Sequence, residues 1–174
     1  MHMVSRLILR VMTQNQLLST EDNEGVSKRL ELWNAVEFWN GEFGKPQFSQ
    51  KFLDEWGTLH FNISHDWPWV LVGVDQKNEL GVDITHVSVP RNTHLLTFLN
   101  ELGSQFSLAE VSCITDLVNM GLYKQAEEIL FTCWAVKEAI SKQTGIGLGM
   151  DYKSISYNPN AIKNNVFKVV LFIV

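Results

Sequence analysis

Asp83, Glu138 and Lys142 are the residues of this sequence whose types and spacing fit metal and phosphate chemistry. Asp83 stands in Gly81-Val82-Asp83-Ile84, after an apolar stretch that reads as a strand, so its carboxylate falls at the strand's end. Glu138 and Lys142 stand in Trp134-Ala135-Val136-Lys137-Glu138-Ala139-Ile140-Ser141-Lys142, inside a helical pattern. That spacing puts a carboxylate and an ammonium one helical turn apart, with Lys137 beside them. Two hard carboxylates on different elements suit one divalent cation such as magnesium, whose shell a substrate's phosphates would complete. Each run alone also has a plainer reading. An Asp after Gly-Val serves as a turn residue or helix cap, and Glu138 with Lys142 has the spacing of an exposed ion pair worth about 0.3–0.5 kcal/mol.

The elements that must position these residues follow from periodicity and punctuation. Residues 4–18 have apolar positions at helical spacing (Val4, Leu7, Ile8, Val11, Met12), and 26–38 form a shorter, ambiguous element. Leu59 to Ile63, Trp69 to Val74 and Leu80 to Ile84 read as three strands of a small antiparallel sheet, separated by His65-Asp66-Trp67-Pro68 and Gln76-Lys77-Asn78-Glu79. Helices are expected over 94–102, over 108–119 behind the capping-box sequence Ser107-Leu108-Ala109-Glu110, and over about 124–143. The last should end near Gly145, a residue suited to a left-handed terminus. Closing strands are expected near 153–157 and 166–173, parted by a turn at Asn158-Pro159-Asn160. The class is α+β.

Two further runs lie upstream, Gly44-Lys45-Pro46 and Phe61-Asn62-Ile63-Ser64-His65. Taken singly, Lys45 is a solvated loop lysine and His65 a turn histidine near Trp67 or Trp69. In the order Gly-Lys-Pro, Phe-Asn-Ile-Ser-His, Gly-Val-Asp-Ile and Trp-x-x-Lys-Glu-Ala-x-x-Lys, however, the four runs together resemble the 4′-phosphopantetheinyl transferase superfamily. Gly145-Ile146-Gly147-Leu148-Gly149 and the Val4 to Arg10 segment are also similar, and the resemblance covers residues 4 to 157. It is to the larger, single-chain type with two pseudo-symmetric halves.

The resemblance implies transfer of 4′-phosphopantetheine from coenzyme A to a serine of an apo acyl or peptidyl carrier protein, with magnesium, releasing adenosine 3′,5′-bisphosphate. It implies Asp83 and Glu138 as metal ligands, Glu138 as the base for the serine, and Lys142 on phosphate with Lys137 adding to the field. Ser64 and His65 would hold the nucleotide's phosphates, Asn62 and Ile63 would shape their loop, and Lys45 with Pro46 would sit by the adenosine and 3′-phosphate. Residues 1–76 would form an incomplete nucleotide-side half and 77–174 the half bearing the metal site. Carrier domains of aminoadipate reductase or fatty-acid synthase type, in lysine or fatty-acid biosynthesis, are the expected acceptors.

Two departures stand out. Thr85 occupies the position where many bacterial members carry a third acidic ligand, which water would replace. The single-chain type also begins with an N-terminal stretch that has no counterpart here, so the first half should expose apolar surface. The alternative expectation is a shortened homologue that only binds coenzyme A or carrier protein.

Length and composition agree with a cytosolic globular protein, and a monomer is expected. The chain has 174 residues, 45% of them apolar, enough for a real core. A net charge of −5 argues against a nucleic-acid surface. Leu7 to Met12 is interrupted by Arg10 and is too short for a signal sequence, and Val166 to Val174 falls far below the ~20 residues of a membrane span. Cys113 and Cys133 lie in helical patterns and read as core residues rather than a disulfide.

Overall fold

The computed structural model describes residues 3–18, 25–41, 44–156 and 169–173. Helix α1 (Met3–Leu17) buries Ser5, Leu9 and Thr13, a four-residue spacing that lays one stripe against its neighbours. This is not the stripe expected from the sequence. Leu7 and Val11 are exposed, because contacts with α2 (Gly25–Ala35) and β4 decide which face turns inward. Leu30 on α2 is exposed as well.

A short hairpin follows, β1 (Phe38–Asn40) antiparallel to β2 (Pro46–Phe48). Helix α3 (Gln50–Trp56) begins at Ser49, whose hydroxyl accepts the Phe52 N–H and so satisfies one orphan donor of the first turn. None of these three elements was expected from the sequence. Leu9, Leu32, Val36, Phe48, Phe52, Leu59 and Phe61 form the core beneath them, with the rings of Phe38, Phe48, Phe52 and Phe61 in mutual contact.

β3 (His60–Asp66) and β4 (Trp69–Asp75) pair antiparallel over their full length. β5 (Gly81–Thr85) does not extend that ladder. It pairs in parallel with β6 (Val169–Ile173), in register from Gly81–Val169 to Thr85–Ile173. The expected three-stranded antiparallel sheet is therefore corrected: two of its strands form a hairpin, and the third takes its ladder from the far end of the chain.

Helices α4 (Leu95–Glu101), α5 (Leu108–Asn119) and α6 (Tyr123–Thr144) lie within a residue or so of their expected positions. The capping box is formed: the Ser107 hydroxyl accepts the Glu110 N–H, and the Glu110 carboxylate accepts the Ser107 N–H at 2.8 Å. α6 ends at Gly145 in the left-handed region, φ 74°, its N–H donating to Ser141 O. A second core of Leu99, Phe106, Ile114, Ala126, Leu130 and Phe131 joins α4, α5 and α6. Cys133 belongs to it, whereas Cys113 is exposed on α5, so only one of the two cysteines is core; both are free.

Two 3₁₀ turns follow α6, Gly147–Gly149 and Tyr152–Ser154. The second stands where a strand from 153 was expected. There the Asp151 side chain accepts the Lys153 N–H, which closes a turn instead of extending the chain. The expected Asn158-Pro159-Asn160 turn and the first residues of the 166–173 strand lie outside the described residues.

Candidate functional site

Three residues of β3 build the floor of the site. Asn62, Ser64 and Asp66 alternate along the strand and so share a face. Each presents a side-chain oxygen to a backbone N–H of the β5 segment: Asn62 Oδ1 to Val82 at 2.9 Å, Ser64 Oγ to Ile84 at 3.3 Å, and Asp66 Oδ2 to His86 at 2.8 Å. The constant offset makes β5 run in the direction of β3, held by side chains instead of a backbone ladder. Gly73 on β4, opposite Asn62, makes room for this: a Cβ there would lie 2.5 Å from Leu80 Cδ1 and 2.9 Å from Val82 Cγ1. At the end of the row His86 Nδ1 meets Asp66 Oδ2 at 2.8 Å, and this hydrogen bond holds the Asp66 carboxyl below its ordinary value.

On its other side β5 lies directly against α6. A Cβ on Gly81 would stand 1.7 Å from the Ala139 carbonyl oxygen, so only glycine permits this approach. The approach brings Asp83 to Lys142. Asp83 is buried, and its Oδ1 accepts from the Ser64 hydroxyl at 2.9 Å and pairs with the Lys142 ammonium, which also donates to Ser64 Oγ at 2.9 Å. Glu138, one turn earlier on α6, accepts the Tyr152 hydroxyl at 2.8 Å.

Tyr152 reports the local field. Burial pushes its phenol up to about 12; a hydrogen bond with Ser141 opposes this, and the hydrogen bond to Glu138 and the negative charges of Glu138 and Asp83 add to it. That hydroxyl is thus a neutral donor throughout the physiological range, and both carboxylates act on it.

Asn62, Ile63, Glu138, Ser141, Lys142 and Tyr152 line one cleft of about 250 Å³, together with the Gly44-Lys45-Pro46 run and Gly145 and Gly147 beyond α6. Lys45 spans the cleft wall to the end of α6, donating to Gln143 O at 2.8 Å. Its burial lowers the ammonium's pKa, which nearby Glu79 partly opposes.

Four residues expected at the site do not line this cleft: Ser64 and Asp83, which are bonded to its Lys142, and Lys137 and His65. Lys137 was expected to add to a phosphate field, yet it is fully buried on the side of α6 that faces α5. Its ammonium pairs with Glu110 at 3.0 Å and donates to the carbonyls of Tyr152, at 2.8 Å, and Ile155. Adjacent helical positions point about 100° apart, so Lys137 and Glu138 cannot both face the cleft. His65 lies on the face of β3 opposite Ser64 and is exposed. Tyr152 was not singled out in the sequence, where a lone Tyr beyond a helix end carries no spacing signal.

The donor set was tested against a divalent cation. Among the described residues no group of three or more His, Cys, Asp and Glu residues forms a metal cage. Glu138 at the cleft and Asp83, buried and paired with the cleft's Lys142, are two hard oxygen donors that would suit a cation keeping water or substrate oxygens in most of its shell, as magnesium does.

The profile of the 4′-phosphopantetheinyl transferase superfamily matches residues 79–169, from the turn before β5 to the start of β6. The chain belongs to this superfamily. Among its relatives, the L-aminoadipate-semialdehyde dehydrogenase-phosphopantetheinyl transferases of Xenopus laevis and Homo sapiens are each 22% identical over 145 residues, 83% of this chain and 47% and 46% of theirs. The 4′-phosphopantetheinyl transferase of Bacillus subtilis is 30% identical over 122 residues, 70% of this chain and 47% of its own. The chain thus spans about half the length of the curated relatives it matches. The stretch matched by the phosphopantetheinyl transferase profile contains Glu138, Lys142 and Tyr152 of the cleft lining, and Asp83, which pairs with Lys142.

Proposed function

We propose that this chain transfers 4′-phosphopantetheine from coenzyme A to a carrier-protein serine, with Asp83 and Glu138 holding magnesium. The observation that carries the reading is the pairing of buried Asp83 on β5 with Lys142 on α6, one turn from Glu138, where Lys142 and Glu138 line a cleft together with Lys45 and Pro46. Magnesium, when bound, supplies positive charge to the pyrophosphate and the leaving group. The serine oxygen attacks the β-phosphorus, the bond from that phosphorus to the bridging oxygen breaks, and adenosine 3′,5′-bisphosphate leaves. Glu138 takes the serine proton. Lys142, held between Asp83 and Ser64, stands one turn from Glu138, where its charge can meet a phosphate oxygen. Lys45 and Pro46 face the nucleotide across the cleft.

The two cores, one built from residues before β4 and one from α4 to α6, support a division into two halves near residue 76. The names of the vertebrate relatives favour an aminoadipate-semialdehyde dehydrogenase carrier domain as acceptor. The same reading carries a cytosolic monomer that engages coenzyme A and the carrier and no nucleic acid.

The test is label transfer from coenzyme A to an apo carrier protein with magnesium, comparing the chain with Asp83→Ala and Glu138→Ala. Each variant should keep its fold and lose more than about 100-fold in rate, beyond the usual loss for an outer-shell partner. Parental rates in either variant would overturn the site assignment. Coenzyme A binding without transfer by the folded parent would overturn catalysis in favour of binding alone.

A further inference from the structure

We infer that Tyr152 is the positioning residue for Glu138, and that Trp134, Lys137 and Glu138 are spaced as they are because each holds a different part of it. This rests on the reading of Asp83 and Glu138 as metal ligands. Trp134 meets the Tyr152 ring edge-on, with centroids 6.1 Å apart and planes at 72°. Lys137 holds the Tyr152 carbonyl at 2.8 Å. Glu138 receives the Tyr152 hydroxyl at 2.8 Å. One turn of α6 thus grips ring, main chain and hydroxyl of a single buried residue.

The grip is anchored outside the cleft. Lys137 is fully buried against Glu110, which is itself fixed in the first turn of α5 by its bonds to the Ser107 N–H and hydroxyl. The Tyr152 hydroxyl is therefore located by two helices and by its own 3₁₀ turn. A glutamate at a cleft wall would otherwise sample several rotamers. With Oε1 held by Tyr152, the carboxylate keeps one orientation, and Oε2 is the oxygen offered to a cation or to the serine proton. Outer-shell donors of this kind set ligand direction, and their loss costs about 10–100-fold in metal affinity or activity.

The experiment uses the full chain and Mn²⁺ as the probe, its binding followed by electron paramagnetic resonance without coenzyme A. Tyr152→Phe keeps the ring against Trp134 and the carbonyl on Lys137, so its thermal transition should stay close to the parent's. Mn²⁺ binding should weaken by about 10–100-fold. In transfer assays kcat should fall while KM for coenzyme A stays within about twofold, a split that a merely structural tyrosine would not produce. Asp83→Ala serves as the reference. If Asp83→Ala weakens Mn²⁺ binding and Tyr152→Phe does not, the positioning role is overturned and the metal site stands. If neither variant changes Mn²⁺ binding, the metal reading falls and the inference falls with it.

Discussion

Replacing Gly81 by alanine tests whether the approach of β5 to α6 is what assembles the site. The added Cβ would stand 1.7 Å from the Ala139 carbonyl oxygen, 2.8 Å from the Ala139 carbonyl carbon and 2.8 Å from the Gln143 nitrogen. All three are backbone atoms inside a helix, so no side chain can rotate aside. An ordinary carbon–oxygen contact of about 3.3 Å would require strand and helix to part by about 1.6 Å. That movement acts directly on the Lys142–Asp83 pair and on the row by which β3 holds β5. Overpacking of this size should cost at least about 3 kcal/mol. For a chain of this length, at about 2–4 °C per kcal/mol, the midpoint should fall by about 6–12 °C or more. Misplacement of reacting groups by about 1 Å can itself cost about 100-fold in rate, so transfer should fall further than stability alone explains. The assay is calorimetry alongside carrier-protein labelling below the transition. Gly149→Ala is the control: among the described residues its added Cβ would meet only Ile146 Cγ2, at 3.6 Å, and should change stability by no more than about 0.5 kcal/mol. A Gly81→Ala chain with parental midpoint and rate would refute the reasoning.

Removing Lys137 should be severe for a different reason. Lys137→Met leaves the buried Glu110 without its cation and should cost about 3–5 kcal/mol in urea unfolding. Adding Glu110→Leu should restore part of this, leaving about 1 kcal/mol for the lost capping box and about 1–3 kcal/mol for the Tyr152 and Ile155 carbonyls that lose the ammonium; a single variant within about 1 kcal/mol of the parent would contradict this account. The chain should also lose stability in base. Burial pushes the Cys133 thiol from 9.0 to about 12 and the Tyr152 phenol from 10.0 to about 12, so the folded state keeps protons that the unfolded state releases. Both contributions are complete below the unfolded values and are lost as pH climbs from about 9 towards 12. Urea midpoints measured at rising pH should fall less steeply in Cys133→Ala/Tyr152→Phe than in the parent, and parallel slopes would count against the assignment.

The parts of the fold written in local chemistry could be read in advance. α5 follows from its capping box and α6 from its long helical pattern ending at Gly145. β1 and β2 were not legible because three residues carry no measurable alternation, and α3 is barely two turns long. Pairing was harder than identity. Gly81–Thr85 reads as a strand from its apolar neighbours, but its ladder partner is at the other end of the chain, and nothing in either segment encodes a parallel register. The buried face of α1 likewise was set by what it meets, not by its most apolar stripe.

The site shows the same division at the level of single residues. A motif marks residues that belong together without saying which of them touch the ligand. The resemblance implies Ser64 as a phosphate ligand and Asn62 as a residue shaping its loop, and each has an oxygen committed to a backbone N–H of β5. Trp134 and Lys137 flank the acidic residue in sequence, yet both act on Tyr152. Gly81 is there for an approach that no side chain would allow. With these assigned to construction, and Asp66 held by His86, the proposed transfer leaves its chemistry to Asp83, Glu138 and Lys142. Phosphoryl transfer asks the protein mainly for position and field. A motif in which most residues fix the place of three charged ones is what that chemistry requires.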